Sequence, residues 1–236
     1  MNLAEPQQAM TASVFADLQH CELLDLSGGP HPTTVSAWSE SGLDLRAGAT
    51  HFGFIYRGPA RMRHASGEFT LSQDMYFAAP DACRIEGGGQ GIVISRIGYH
   101  GFFQIGGPIE ERGRLPYING CSDSLLIPPV LKGDACLNLL HVPARTDQTV
   151  HTHPSIRIGL VALGEGYCET PRGASLLSPG TVFIIPAGEL HSFHTTDIGL
   201  TIIDYHPDSD FGPTHEEHPM LNRTIIGGSA IVKPPL

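Results

Sequence analysis

An internal repeat is the feature that most constrains how this chain of 236 residues can fold. When the sequence is slid against itself by 106 positions, its two halves register without a gap. The matches are Gly53 with Gly159, Gly58 with Gly164, Gly67 with Gly173, Leu71-Ser72 with Leu177-Ser178, Phe77 with Phe183, Pro80 with Pro186, Ile92 with Ile198, and Tyr99-His100 with Tyr205-His206. Glycine and proline set turns and strand ends, so their common spacing indicates that one supersecondary unit is present twice.

The composition between these turns predicts strands. The chain has 28 glycines and 19 prolines, which bracket short runs rich in Val, Ile, Phe and Leu, such as residues 91–95, 181–185 and 200–203. Short apolar runs between turn residues are typical of β-sandwiches and barrels. Helical periodicity is weak and is best near residues 8–19. We therefore expect an all-β protein of two similar units, joined by a Gly/Pro-rich connector around residues 106–122.

Charge and cysteine content narrow the classes of partner. Lys plus Arg number 14 against 24 Asp plus Glu, a formal net charge of −10, so we expect no nucleic-acid partner. No apolar run approaches the roughly 18 residues of a spanning helix, and the N-terminus does not resemble a signal peptide, so we expect no membrane partner. Five cysteines without a Cys-x-x-Cys pair fit a reducing compartment, which predicts a cytoplasmic protein.

Three histidines of the second half form the sharpest chemical signal. His151 and His153 are two residues apart, so on a strand both imidazoles project from the same face. His191 follows a strongly apolar β run and can approach them from a neighbouring strand. Three imidazoles suit Fe(II), Zn, Ni, Cu or Co and are poor ligands for Mg or Ca. The alternative is a pair of histidines in an exposed loop, which the third histidine disfavours.

These residues resemble the two sequence motifs of the cupin superfamily, in its duplicated, RmlC-like bicupin form. The first motif is Gly, five residues, His-x-His, three or four residues, Glu, six residues, Gly. His151, His153 and Gly164 match it, Arg145 replaces the first Gly, and the Glu position holds Arg157 or Ile158, depending on the spacing. The second motif is Gly, five residues, Pro-x-Gly, two residues, His, three residues, Asn. Gly180, Pro186, Gly188 and His191 match it, and Thr195 replaces the Asn.

The resemblance implies two tandem jelly-roll β-barrels, over residues 1–121 and 122–236. At the repeat offset, the three histidines correspond to Leu45, Ala47 and Ile85, which cannot bind a metal. We therefore expect one metal per chain, in the second barrel, and a structural first barrel with an apolar interior. The resemblance also implies a homodimer.

A three-histidine set without the glutamate resembles that of the thiol dioxygenases and the β-diketone-cleaving dioxygenase. The predicted function is thus that of a non-haem dioxygenase acting on a small anionic or dicarbonyl substrate. Fe(II) is the favoured metal, with Zn, Ni, Mn or Cu as alternatives. Two other functions stay open: a metal-dependent isomerase or lyase, and a non-catalytic cupin that binds a metal or small ligand.

Two further side chains are candidates for the chemistry. An arginine beside a dication calls for an anion between them, so Arg157 is predicted to hold a substrate carboxylate or enolate. The alternative is that Arg157 turns to the rim and pairs with a surface acid. Tyr205 ends a strand and can serve as an acid or hydrogen-bond donor, although its match with Tyr99 also permits a structural role. His194, three residues after His191, is expected to be exposed.

Overall fold

The protein is all-β in a computed structural model that describes residues 10, 12–18, 21–39, 41–208, 225–226 and 229–230. The strands of the first half are β1 (Val14–Asp17), β2 (Cys21–Leu26), β3 (Thr33–Ser39), β4 (Leu43–Leu45), β5 (Ala49–Arg57), β6 (Ala60–His64), β7 (Gly67–Leu71), β8 (Tyr76–Pro80), β9 (Cys83–Glu86), β10 (Gln90–Ile97), β11 (Gln104–Gly106) and β12 (Leu115–Pro116). A short 3-10 turn over Ile118–Gly120 precedes the second half. Within these described ranges, no helix is long and apolar enough to cross a membrane.

The second half repeats this series of strands. They are β13 (Ser122–Ile127), β14 (Cys136–Val142), β15 (Arg157–Gly164), β16 (Gly166–Thr170), β17 (Gly173–Leu177), β18 (Thr181–Ile185), β19 (Ser192–His194) and β20 (Leu200–His206). A two-stranded sheet, β21 (Ile225–Ile226) with β22 (Ser229–Ala230), follows.

Each half contributes one large and one small sheet. In the first half, a six-stranded sheet has the order β11-β8-β5-β10-β3-β2 and a four-stranded sheet has the order β4-β9-β6-β7. In the second half, the large sheet has seven strands in the order β1-β18-β15-β20-β14-β13-β12, and the small sheet is β17-β16-β19. Strand β1 comes from the N-terminus but pairs antiparallel with β18. Residues 14–17 therefore form a strand, although the weak helical period near residues 8–19 favours a helix. Pairing with β18 provides hydrogen-bond partners for their backbone.

The repeat at 106 positions holds through the middle of each half. Strands β7 and β17 are related by this offset, and Gly53 pairs with Phe77 as Gly159 pairs with Phe183. In both pairs the aromatic ring covers the glycine so closely that an added Cβ would lie 2.1 Å from a ring carbon. Only glycine fits under such a ring, which explains why the sequence keeps Gly and Phe at the same spacing in both halves.

The offset changes before the last long strand of each half. Gly53 pairs with Val93 of β10, whereas Gly159 pairs with Asp204 of β20, so the equivalent positions there differ by 111 residues. The sequence matches of Ile92 with Ile198 and of Tyr99 with Tyr205 are therefore wrong. Additional residues between β18 and β20 cause the change of register.

The buried apolar side chains form three clusters, and each cluster lies between two sheets. The first cluster joins the facing sides of the two large sheets, with Phe52, Phe54 and Ile94 from one half and Leu139, Ile203 and Tyr205 from the other. The second cluster fills the space between the sheets of the first half and includes Trp38, Phe77 and Ile85. The third cluster lies between the sheets of the second half and includes Val161, Phe183 and Phe193.

Candidate metal centre

The structure brings His151, His153 and His191 together. His151 and His191 form an isolated antiparallel bridge, in which each backbone N–H donates to the other residue's carbonyl at 3.0 and 2.9 Å. The N–H of Gly188, a residue with φ of +75°, donates to the carbonyl of His153 at 2.8 Å. The Pro-x-Gly turn thus fixes the segment before His191 against the segment that carries His153. One potential ligand atom from each histidine lies within 4.8 Å of the others.

Backbone carbonyls orient two of the imidazole rings. The Nδ1 atom of His151 lies 2.9 Å from the carbonyl oxygen of Thr149, and that of His191 lies 3.0 Å from the carbonyl oxygen of Glu189. Since a carbonyl only accepts, Nδ1 is assigned as the donor in both rings. The Nε2 atoms then carry the lone pairs, which is the arrangement that metal-binding histidines need.

The surroundings keep the rings of His153 and His191 neutral. Burial, with the positive charge of Arg157 beside it, lowers the pKa of His153 to about 3. Burial also lowers the pKa of His191. Neutral imidazole is the form that binds a metal, so these two rings fit a borderline divalent ion without prior loss of a proton.

The histidines open onto a cavity of about 560 Å³ between the sheets of the second half. Its floor is the large sheet, and its wall includes the connector between the halves. The lining residues that matter below are the three histidines together with Tyr117, Asp123, Asn138, Arg157, Phe183, Ile185, Phe193, Asp204 and His206. A site of this size holds a small organic molecule beside the three imidazoles.

Arg157 lines this cavity at the start of β15 and is 7% exposed. Its Nη1 atom donates to the Ser155 hydroxyl at 2.9 Å and to the Ser155 carbonyl at 3.2 Å. The guanidinium therefore does not turn to the rim, which was the alternative position. It contributes to lowering the pKa of both His153 and Asp204, which places its positive charge within the site.

Tyr205 is not brought to the cavity, so the prediction that it acts in catalysis disagrees with its position. Its side chain is fully buried in the cluster between the two large sheets, where the ring centre lies 5.2 Å from that of Phe52. Successive residues of a strand face opposite sides, and on β20 the cavity side belongs to Asp204 and His206. Burial raises the pKa of the Tyr205 hydroxyl, which further opposes an acid role.

His194 is buried, which corrects the expectation that it is exposed. Its Nδ1 lies 2.6 Å from an Asp147 carboxylate oxygen, and its Nε2 lies 2.7 Å from the Ser192 hydroxyl. Its ring also stacks on Tyr167, with 4.8 Å between ring centres. These contacts belong to the small sheet, so His194 supports β19 rather than the metal centre.

Comparisons with known proteins agree with this architecture. The family model described as the AraC-like ligand binding domain matches residues 142–216, which contain all three histidines. The structure of a cupin 2 conserved barrel domain protein from Leptotrichia buccalis is similar with a TM-score of 0.57 at 12% identity, covering 87% of this chain and 97% of that chain. The protein Ylba from E. coli is similar with a TM-score of 0.59 at 13% identity, covering 88% of this chain and 96% of that chain. The fold is that of cupin proteins.

A third similar structure is that of an enzyme. It is salicylate 1,2-dioxygenase from Pseudaminobacter salicylatoxidans, with a TM-score of 0.58 at 10% identity, covering 76% of this chain and 73% of that chain. Structures of that enzyme in complex with gentisate are similar as well. At such low identity, the likeness concerns the fold. A comparison of the sequence with curated proteins finds no match.

Sequence reasoning missed a polar wall of this cupin cavity, formed by Tyr117, Asp123, Asn138 and Asp204. Burial raises the pKa of Asp123 to about 7, helped by the nearby charge of Asp204. Burial also opposes ionisation of Asp204, but its bond to His206 at 2.7 Å and the charge of Arg157 outweigh this and lower its pKa. The available signal was the i, i+2 pair of Asp204 and His206 within an otherwise apolar strand.

The equivalent positions of the first half carry no comparable set of ligands. Leu45 pairs with Cys83 as His151 pairs with His191, so the counterpart of His191 is Cys83 rather than the expected Ile85. Burial raises the pKa of the Cys83 thiol to about 12, which disfavours the thiolate needed to bind a metal. Of the residues that the structure describes, only the three histidines of the second half form a group able to hold a metal.

Proposed function

We propose that this chain is a metal-dependent enzyme of the three-histidine, non-haem dioxygenase type, acting on a small anionic or dicarbonyl substrate. The observation that carries the proposal is the convergence of three imidazoles and the Arg157 guanidinium in one cavity. The similarity in fold to a salicylate dioxygenase supports it.

The proposed metal ligands are His151, His153 and His191, with Fe(II) favoured and Zn, Ni, Mn or Cu as alternatives. The neutral ring of His153 fits this role, as do the Nδ1 atoms of His151 and His191, each of which donates to a backbone carbonyl. The chemistry that a bound Fe(II) ion supplies is redox activation of dioxygen, whereas Zn would supply Lewis-acid polarisation.

The remaining residues of the cavity would bind and orient the substrate. Arg157, held in place by Ser155, presents a positive charge to a carboxylate or enolate oxygen beside the three histidines. Phe183, Ile185 and Phe193 belong to the apolar part of the lining and would restrict access of water to the reacting groups. The chain thereby provides a positively charged contact and a shaped apolar wall for a small molecule.

A second candidate is a non-catalytic cupin whose cavity binds a small ligand. The match of residues 142–216 to the AraC-like ligand binding domain favours it, because those residues supply most of the cavity. An isomerase or lyase that uses the metal as a Lewis acid would have the same three ligands.

Oxygen uptake by the Fe(II)-loaded protein separates these functions. We expect uptake with at least one member of a panel of β-diketones, thiols and hydroxy acids, and none by the Zn-loaded protein. Arg157→Gln should lower kcat/KM by about tenfold or more, since a charge-assisted hydrogen bond contributes about 1.5–3 kcal/mol. Arg145→Gln is the matched control, because that guanidinium pairs with exposed Asp197. Thermal stabilisation by panel members without oxygen uptake would favour the binding or non-oxidative functions.

We further propose that the two halves are tandem jelly-roll barrels with a boundary near residues 121 and 122, and that the protein is a cytoplasmic homodimer. The presence of a large and a small sheet in each half supports the two-barrel arrangement. Sedimentation equilibrium tests the dimer, and a monomer at all concentrations would contradict it. Cell fractionation tests the location, and recovery with the membrane or extracellular fraction would contradict it.

A further inference from the structure

The cavity wall formed by β13, β14 and β20 carries polar side chains in an otherwise apolar layer. These strands are neighbours in the large sheet, and Asn138 of β14 pairs with Asp204 of β20. Asp123 of β13 pairs with Leu140, which lies on the same face of β14 as Asn138. All three polar side chains line the cavity that the histidines share.

Each of these side chains has a buried oxygen that lacks a hydrogen-bond donor within the part of the chain that the structure describes. The atoms are the Oδ1 atoms of Asp123, Asn138 and Asp204. Asn138 is only 1% exposed, and the other oxygen of Asp204 is already bonded to His206. Buried acceptors are normally paired, because leaving one without a donor is unfavourable. Three such oxygens on adjacent strands indicate a surface built to receive donors from a ligand.

We propose, on the basis of the function proposed above, that the substrate carries hydrogen-bond donors, hydroxyl or ammonium, on a part distinct from its metal-binding group. Asn138 is the specificity-determining residue for these donors, together with Asp123 and Asp204. The substrate class is then a small acid substituted with hydroxyl or amino groups. A tail without donors would leave the three oxygens buried and unpaired, so the site should discriminate against it.

The experiment measures binding of three six-carbon acids to the Zn-loaded full chain by calorimetry. Hexanoate has no donors on its tail, 6-aminohexanoate has an ammonium group, and gluconate has hydroxyl groups. We expect at least one of the latter two to bind more tightly than hexanoate by about tenfold or more, as expected for one satisfied buried acceptor. The one that binds more tightly identifies the kind of donor.

Asn138→Leu should reduce this preference to about threefold or less while retaining the metal, because it removes an acceptor and no ligand to the ion. His141→Leu is the matched control. His141 lies on the same strand and also has a buried atom without a described partner, Nδ1, but it does not line the cavity. This control should keep the preference. Asn138→Ala serves as a second variant if the leucine substitution prevents folding.

Equal or tighter binding of hexanoate, absence of binding by both donor-bearing acids, or a preference that survives in both Asn138 variants would overturn the inference. These outcomes are distinct from failure of the proposed function. If the proposed function is wrong, the wild-type protein retains no metal or shows no oxygen uptake. The donor preference is measured separately, by binding without turnover.

Discussion

The space between the two sheets differs in the two halves of the molecule. In the first half it is filled by an apolar cluster that includes Trp38, Phe77 and Ile85. In the second half the corresponding layer contains a cavity of about 560 Å³. The equivalent pairs, by strand register, are Leu45 and His151, His51 and Arg157, Cys83 and His191, Ile85 and Phe193, and Val93 and Asp204. A few substitutions on one face of a shared scaffold thus separate a packed core from a candidate site.

His51 and Arg157 occupy equivalent strand positions in the two halves, but their polar groups have different surroundings. His51 is buried, with its Nδ1 2.8 Å from the Ser95 hydroxyl and its Nε2 3.0 Å from the Arg46 carbonyl oxygen. Both ring nitrogens therefore have protein partners, as a structural residue requires. Arg157 instead directs its charge toward a cavity that holds Asp204 and the histidines. The same strand position supports structure in one half and a candidate binding contact in the other.

The largest expected effect comes from removing the equivalent phenylalanines. Phe77→Ala should lower the free energy of unfolding by about 3–5 kcal/mol, because it leaves a void in a packed core. Phe183→Ala should cost at least about 1 kcal/mol less, because its ring already borders the cavity and the space can be filled from it. Urea unfolding of both variants measures the difference. Equal losses, or a larger loss for Phe183→Ala, would show that the two interiors are packed alike.

Asp123 provides a pH-dependent effect confined to the second half. Burial raises its pKa from 3.8 to about 7, so the folded state favours the protonated carboxyl. The folded protein then binds more protons than the unfolded chain, and the free energy of unfolding decreases as pH rises through this window. Asp123→Asn should lack this decrease and exceed the wild type at pH 8 by at most about 4 kcal/mol, from roughly three units at 1.36 kcal/mol each. Thermal unfolding at pH 4 and pH 8 tests this, and a variant less stable than the wild type at pH 8 would contradict it.

The smallest effect is expected for a histidine placed in the first half. Ala47 is exposed, and its neighbours at the equivalent of the metal centre are Leu45 and Cys83. Ala47→His should therefore change the free energy of unfolding by about 0.5 kcal/mol or less, as for other surface substitutions. It should add no metal, because the thiol of Cys83 has a raised pKa and a single imidazole does not hold an ion. A gain of metal per chain would mean that the first half retains a partial site.

The convergence of the three histidines was predictable from the sequence, because their positions depend on local structure. His151 and His153 are separated by one residue, and His191 is held by a turn that Pro186 and Gly188 encode. The all-β fold class and the common offset of 106 positions in the middle of each half were predictable for the same reason. Glycine spacing depends on turns and on close packing against aromatic rings.

Other features depend on register and on distant pairing. The offset changes from 106 to 111 between β18 and β20, and an odd change exchanges the two faces of a strand. Tyr205 is therefore equivalent to Ile94 of the core, and Asp204 is the residue that faces the cavity. Likewise, Asp123 reaches the site only because β13 lies beside β14 in the sheet, and β1 pairs with a strand more than 160 residues away. No local pattern encodes these contacts.

Metal content per chain tests the difference between the halves most directly. Elemental analysis should compare the wild type with His191→Ala and with Cys83→Ala, which alters the equivalent position of the first half. We predict about one transition-metal ion per chain in the wild type and in Cys83→Ala, and close to none in His191→Ala, since one of three proposed ligands is removed. Equal metal content in the wild type and His191→Ala, or a loss in Cys83→Ala instead, would contradict the assignment of the metal centre to the second half.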